Sequence, residues 1–487
     1  MKKILSLLLA MIMIFAMLAC SKKDDDSGKT TGNNTNVTSP ENEDPLYADP
    51  KLPSKKIGGE MVFLTREDWH FREIGVEEDS SEVVTAAVYR RDMYLEEKYG
   101  VDLKILMKPN VEIASFASNE TLVGALSFDV ILAGFNSTFH MLVGDVLIDF
   151  SQVPHINTEK AYWNKSMLDS TTVANKAYML VSAANIQTFH GASCVFVNTG
   201  LYADLDFEKD IYDLVHDDEW TIDKMAEISK RAYYDVDGSQ SATVGDRFGS
   251  CSSLAACEGM FSGMGGKYVE KNNSDIPEFI PFSEKTNNII TKLVSFWADD
   301  TSLLINRYKN SDEVFVQTIS SGNLLFMQEQ MYQYGAFNRY CEYEVGVLPM
   351  PKYDETQEDY KTFTHINWSS TTSVPRLLSS ERLDQVGAIL EDMAYLSERD
   401  IFPAYYEVNM KGRNAQDEES IEMLDIIFST LDVDFGNVLA GEQFDATYVL
   451  RDLVEDKSTD ITAKFEEKAP IYAAYVKNLV NKVTGTK

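Results

Sequence analysis

Five places in this 487-residue chain set an aromatic ring beside groups that bond hydroxyls. Trp69 follows Arg66, Glu67 and Asp68, and Asn136 follows Phe135. Tyr332 follows Gln328 and Glu329, Trp368 follows Asn367, and Arg413 closes a stretch that holds Tyr405 and Tyr406. Aromatic faces cover flat apolar surface, while carboxylates, amides and guanidinium groups exchange hydrogen bonds. Together these types suit a ligand with flat apolar faces and a rim of hydroxyls, as a sugar has. A large aromatic is equally ordinary core material, and Trp220, at the start of a helix, is expected to be packing.

Motifs for covalent chemistry fail on inspection. Gly265-Gly266-Lys267 has the look of a phosphate loop, but Phe261 and Tyr268 stand where that motif needs Gly and Ser or Thr. There is no HExxH for zinc and no GxSxG for a serine nucleophile. Asp235-Val236-Asp237-Gly238 suggests a calcium loop, yet with Gly238 at the turn, Tyr233 and Val244 fall where carboxylates are required. The histidines, at 70, 140, 155, 190, 216 and 365, have no ligand spacing, so no metal and no cofactor is expected. Cys194, Cys251, Cys257 and Cys341 read as buried or locally paired structural cysteines rather than zinc ligands, with Cys251 and Cys257 near enough to bridge if the backbone bends. A surface glycoside hydrolase needs two carboxylates flanking one bond. The 77 acidic residues leave that alternative open, but no local motif marks a pair.

Stepping outward to the elements, residues 61–65 form an apolar strand. Residues 80–99 carry Val84, Val88, Arg91 and Leu95 at helical spacing, and Gly100 is the permissive residue at which such a helix ends. Residues 101–107 return to a strand, which favours a parallel pair joined by a right-handed crossover. The apolar run 128–133 suits a strand covered on both faces. Further strands are expected at 193–197, 323–327, 345–348 and 362–367, and helices at 220–233, 283–298, 383–396 and 421–431. A polar loop spans 235–249. The fold class is therefore α/β with a largely helical C-terminal quarter. At 44% hydrophobic the body is globular, and its formal charge of −33 argues against nucleic acid and against a face for anionic lipid.

The chain opens Met1-Lys2-Lys3, continues with an uncharged apolar run over 4–17 and closes it with Leu18-Ala19-Cys20. That run is too short to span a bilayer comfortably. The order resembles a bacterial lipoprotein signal with its lipobox, with Met17 where that family usually places Leu. The resemblance implies that residues 1–19 are removed and that Cys20 becomes the first residue, carrying lipid such as palmitate. Residues 21–55 have almost no apolar side chains and so cannot offset the entropy of ordering. On that resemblance residues 20–57 would be a lipidated cysteine and a flexible tether.

Five later segments, in order, resemble the family 1, carbohydrate-type extracellular solute-binding proteins of bacterial ABC importers. Phe196-Val197-Asn198-Thr199-Gly200-Leu201-Tyr202 is similar to a strand crossing to the second lobe, and Trp220-Thr221-Ile222-Asp223-Lys224-Met225 to a Trp-Thr helix start. Asp235-Val236-Asp237-Gly238 with Asp246-Arg247-Phe248-Gly249 resembles an Asp/Gly loop preceding a short strand. Ser321-Gly322-Asn323-Leu324-Leu325-Phe326-Met327 resembles a strand after Gly, and Val345-Gly346-Val347-Leu348-Pro349-Met350-Pro351 a second crossing. The resemblance implies a two-lobed, type II periplasmic-binding-protein-like fold, hinge-connected, with an interlobe cleft. Its lobes would be residues 58–196 with 348–397, and 197–347 with 398–487. It further implies a monomer that closes around a carbohydrate, oligosaccharide before monosaccharide, and presents it to ABC permease subunits. The ligand residues would be Asp68, Trp69, Asn136, Glu329, Tyr332, Trp368 and Arg413, Tyr332 lying in the segment that commonly carries a stacking aromatic. A surface sensory or adhesion module would keep the same fold without a transporter.

Overall fold

Strand β1 (Glu60–Arg66) buries everything from Phe63 to Arg66. The helix Val83–Tyr99 follows, capped by the Glu82 carboxylate, which accepts from the N–H groups of Val84 and Thr85 at 3.1 and 2.7 Å. It ends at Gly100, whose φ of +59° is left-handed. β2 (Asp102–Lys108) then pairs parallel to β1 from Glu60↔Asp102 to Arg66↔Lys108, as the crossover predicts. β3 (Val130–Ala133), buried throughout, is parallel to β1 on its other side. This computed structural model describes residues 46–486 apart from 55, 68–71, 78–79, 237, 241–242, 244, 255, 281–282, 300, 306–319, 416 and 440–443. Cys20 and the expected tether as far as Pro45, together with Lys55, Asp68 and Trp69, lie outside the described residues. The end of that expected tether is instead bonded to the body, the Leu46 carbonyl accepting from the Ala161 N–H at 3.0 Å and the Ile57 N–H donating to the Tyr99 carbonyl at 2.6 Å.

The second sheet has the order β10-β4-β9-β5-β8. β4 (Ser193–Asn198) runs antiparallel to β9 (Leu324–Gln330) and to β10 (Val345–Leu348), while β5 (Phe248–Ser253) is parallel to β9 and to β8 (Ser302–Ile305). The helix Ile222–Ala232 lies against β5 so closely that a Cβ on Gly249 would sit 2.1 Å from the Ser229 carbonyl oxygen, a position open only to glycine. Trp220, just before that helix, is fully buried, as expected of a packing residue. Its ring lies 5.3 Å from that of Phe326, and its indole N–H donates to the Pro349 carbonyl at 2.9 Å. Two small pairings complete the set: β6 (Val269–Lys271) with β7 (Pro277–Phe279), antiparallel, and β11 (Thr362–Phe363) with β13 (Leu431–Asp432), parallel. Cys194, Cys251, Cys257 and Cys341 form no disulfide, so Cys251 and Cys257 do not bridge.

The changes of sheet fall elsewhere than expected. β4 lies wholly in the second sheet, so the first change precedes Ser193 rather than falling near Val197. β10 is also in the second sheet, and Lys352 still bridges to Thr221 there. The chain rejoins the first sheet only at β12 (Thr371–Ser373), which pairs antiparallel with β3 and gives that sheet the order β12-β3-β1-β2. The apolar runs 193–197 and 345–348 do lie in strands, but a run shows that a strand exists and not which neighbour it pairs with. The last passage is π-helical, over Ser397–Ile401 and Ala404–Asn414, a wide helical form that recurs at functional sites.

Candidate functional site

Open α/β sheets offer ligands the edge outside the carboxyl ends of their strands. In the second sheet that edge holds the end of β9 and, because β4 is antiparallel to β9, the start of β4. The Met331 N–H donates to the Ala192 carbonyl at 2.7 Å, which fixes the two together. The His365 N–H donates to Gly191 at 3.0 Å, bringing the segment 364–370 to the same edge. The first sheet arrives through the end of β3, where a Cβ on Gly134 would lie 2.9 Å from the Ile366 carbonyl, and through Arg66 at the end of β1, whose guanidinium donates to the Asn367 carbonyl. Both sheets and both interior crossings therefore meet at one place.

Tyr332 and Trp368 face each other there, with ring centroids 5.7 Å apart and planes inclined by 30°. Trp368 is 36% exposed and Tyr332 is half-buried, so neither residue is sealed off from solvent. His190, at the end of the helix Ile186–His190, lies 6.2 Å from the Tyr332 ring. Its Nδ1 is 3.1 Å from the Tyr405 hydroxyl, which ties the π-helical passage to the cluster. Burial, with Arg451 and Arg66 nearby, pushes the His365 imidazole down to about 3, so it is neutral in ordinary buffers. The Arg451 Nε donates to Glu258 Oε1 at 2.5 Å, and burial raises the Glu258 carboxyl while that guanidinium opposes the shift.

Behind the rings the two crossings are stitched by hydroxyls. The Thr188 Oγ1 donates to the Ser370 carbonyl at 2.5 Å and accepts from the Ser370 N–H at 2.9 Å, while Thr364 Oγ1 donates to the Thr188 carbonyl at 2.7 Å. Glu73 completes the stitch, accepting from the Gln187 N–H at 2.9 Å and from the Ser370 hydroxyl at 2.6 Å. Burial pushes its carboxyl up to about 7, against the pull of those bonds and of Arg66 and Arg91.

Of the residues expected from sequence, Tyr332, Trp368 and the half-buried Asn136, two residues beyond Gly134, fall at this edge. Trp368 arrives by a turn and not by a strand, since pairing in the expected strand stops at Thr364, which bridges to Ala192, and the Trp368 N–H bonds back to the His365 carbonyl at 3.0 Å. Glu329 is buried inside β9, one residue short of its end. Arg413 is exposed on the π-helical passage, whose Asn414 carbonyl accepts from Asn338 at 2.7 Å. Sequence reasoning overlooked His190, Glu73, Glu258 and Arg451. Of these, only His190 left a usable signal, its place just before an apolar strand.

This architecture is the two-lobed periplasmic-binding-protein class, α/β lobes joined by hinge segments with a cleft between them. No family model matches the sequence, and no curated protein matches it. Among solved structures the chain is similar to the galacto-N-biose-/lacto-N-biose I-binding protein of an ABC transporter from Bifidobacterium longum, in complex with lacto-N-biose. That match has a TM-score of 0.56 and 12% identity over 86% of this chain and 97% of that one. A family 1 extracellular solute-binding protein from Bifidobacterium longum subsp. infantis matches with a TM-score of 0.52 and 12% identity, over 88% and 100% of the two chains. UgpB from Mycobacterium tuberculosis, in complex with glycerophosphocholine, matches at 0.53 and 15%, over 86% and 99%. At such identities the likeness is one of fold, the fold of family 1 extracellular solute-binding proteins.

Proposed function

We propose that this chain is a lipid-anchored extracellular solute-binding protein that delivers a carbohydrate, an oligosaccharide before a monosaccharide, to an ABC importer by closing two lobes around it. The lobes are the bodies built on the four-stranded and the five-stranded sheets, and they swing about the segments near 191–192 and 364–370 and the passage 397–414. A ligand that touches both lobes only when they are closed shifts the hinge equilibrium by its differential affinity. The single observation that carries the ligand class is the Tyr332–Trp368 pair, two partly exposed rings set between the sheets. Asn136 and Arg413 supply polar contacts, and Asp68 and Trp69 join them on their sequence position after β1. Glu329 stays as a buried support. Cys20 carries the anchor, the permease subunits are the partners, and the protein acts as a monomer outside the cytoplasm. No helix among the described residues is long and apolar enough to cross a membrane.

The test is a thermal-shift panel of mono- and oligosaccharides with the purified protein, because a ligand bound only by the native state raises the midpoint. A concentration-dependent rise with an oligosaccharide is expected. A panel that moves nothing, while glycerophosphodiesters or peptides do, overturns the carbohydrate assignment.

A further inference from the structure

Away from the aromatic site, the β6–β7 hairpin reaches across to the other half of the molecule. Its strands belong with the second sheet's helices: Phe279 lies 5.3 Å from Tyr472, and Tyr268 stacks on Phe261 at 4.7 Å. The segment it meets, 172–175, leads into Leu180, which bridges to Thr372 of the first sheet. Three residues other than glycine adopt left-handed backbone here, Ala174 at φ +53°, Asn175 at +58° and Asp275 at +57°. Such conformations persist where the surroundings over-determine them. All three meet: the Ala174 N–H donates to the Asp275 carbonyl at 2.8 Å, and the Asn175 N–H donates to Asp275 Oδ2 at 2.8 Å. The other carboxylate oxygen accepts from Thr172 Oγ1 at 3.1 Å and from Lys271 Nζ at 2.9 Å, and that same ammonium also donates to the Asp169 carbonyl.

We infer that this hairpin turn is a latch between the lobes, closed through Asp275 onto residues 172–175, and that it limits how far they swing. The inference rests on the two-lobe reading above but not on the ligand. Rotation about the crossing segments moves 172–175 relative to the hairpin, so the latch must bend or break whenever the lobes turn. Its charged groups are only partly buried, at 16% and 19% side-chain exposure for Lys271 and Asp275, so water can take over their hydrogen bonds when they part. Beside the latch an open cavity of about 760 Å³ is lined from both halves, by Asp169 and Ser170 on one side and Lys271 and Asp432 on the other, leaving room for that motion. Every polar atom of Asp275 has a partner across the seam or in its own hairpin. The left-handed turns are thus explained by what they grip.

The test uses the full chain with Cys20 and Cys341 replaced by serine and spin labels on Leu122→Cys and Ile471→Cys, exposed positions on helices of the two halves. Pulsed electron resonance should give one narrow distance with the latch intact. Asp275→Ala should add a second, resolved distance, and Thr172→Val should move the distribution the same way by less. Asp223→Ala, which breaks a surface pair with Lys292 inside one half, should leave it unchanged. Distance distributions for Asp275→Ala that superimpose on the parent overturn the latch. Should circular dichroism show that variant unfolded, Thr172→Val decides, and an unchanged distribution there overturns it equally. A protein that ignores every sugar yet shows the second distance loses the ligand assignment and keeps the latch.

Discussion

Around Trp220 the ring is closed off on every side and its indole N–H is bonded to Pro349, whereas around Trp368 a third of the residue is open and its ring meets Tyr332 across the junction of the sheets. The first region is held by apolar packing. The second is held by polar bonds in Thr188, Ser370 and Glu73, and leaves Tyr332 and Trp368 partly exposed. The difference teaches where to look for function in an α/β body: side chains sealed in the core have no surface left for a ligand, and aromatic residues left partly exposed beside a buried polar scaffold do.

The largest effect should come from Trp220→Ala, which removes a fully buried indole and should cost about 3–5 kcal/mol of stability, read from the denaturant midpoint. Trp368→Ala should cost less than about 1 kcal/mol by the same measurement, being partly exposed. Equal losses would erase the contrast between the regions.

Glu73→Gln sharpens the contrast from the polar side. Its carboxyl is raised from 4.5 to about 7 in the folded state, so as pH climbs between those values the unfolded chain releases its proton first. Stability is fully present below about 4.5 and falls as pH rises through about 7, by about 3 kcal/mol for a shift of this size. The glutamine variant should lack that slope, seen as a difference in chemical denaturation between pH 4 and pH 8. A parallel pair of pH profiles would show that Glu73 ionises freely and that the stitch does not confine it.

Much of this was legible in the chain because β1, β3, β4, β9 and β10 carry apolar runs, and continuous apolar runs are what buried strands require, while β2, only partly buried, was legible from the helix end at Gly100 before it. β5 was not, since half of Phe248-Gly249-Ser250-Cys251-Ser252-Ser253 is serine. Its burial is made possible by side-chain bonds such as Ser250 with Gln328, and only the family resemblance implied a strand there. Tyr332 stood out because it follows a run. His190 did not, because the search went to strand ends, and only pairing reveals that β4, antiparallel to β9, begins where β9 finishes. Glu73 sits in no motif, and its partners are 114 and 297 residues away in sequence.

Tyr332→Ala should weaken a ligand found in the sugar panel by about 1–3 kcal/mol, the scale of one lost aromatic stack, and should change the melting temperature of the free protein little. Calorimetric titration separates the two. A variant that melts early but binds as before would move Tyr332 from the open region to the packed one.

The smallest effect is expected from Arg413→Ala. The side chain is exposed and makes no ion pair among the described residues, so water screens whatever charge it presents to a ligand. Its contribution to affinity should stay below about 1 kcal/mol and shrink further as salt is raised. A larger, salt-resistant loss would require the guanidinium to be desolvated on binding. Closure of the lobes would then have to bring the π-helical passage 404–414 against the ligand, with Arg413 buried in the closed site.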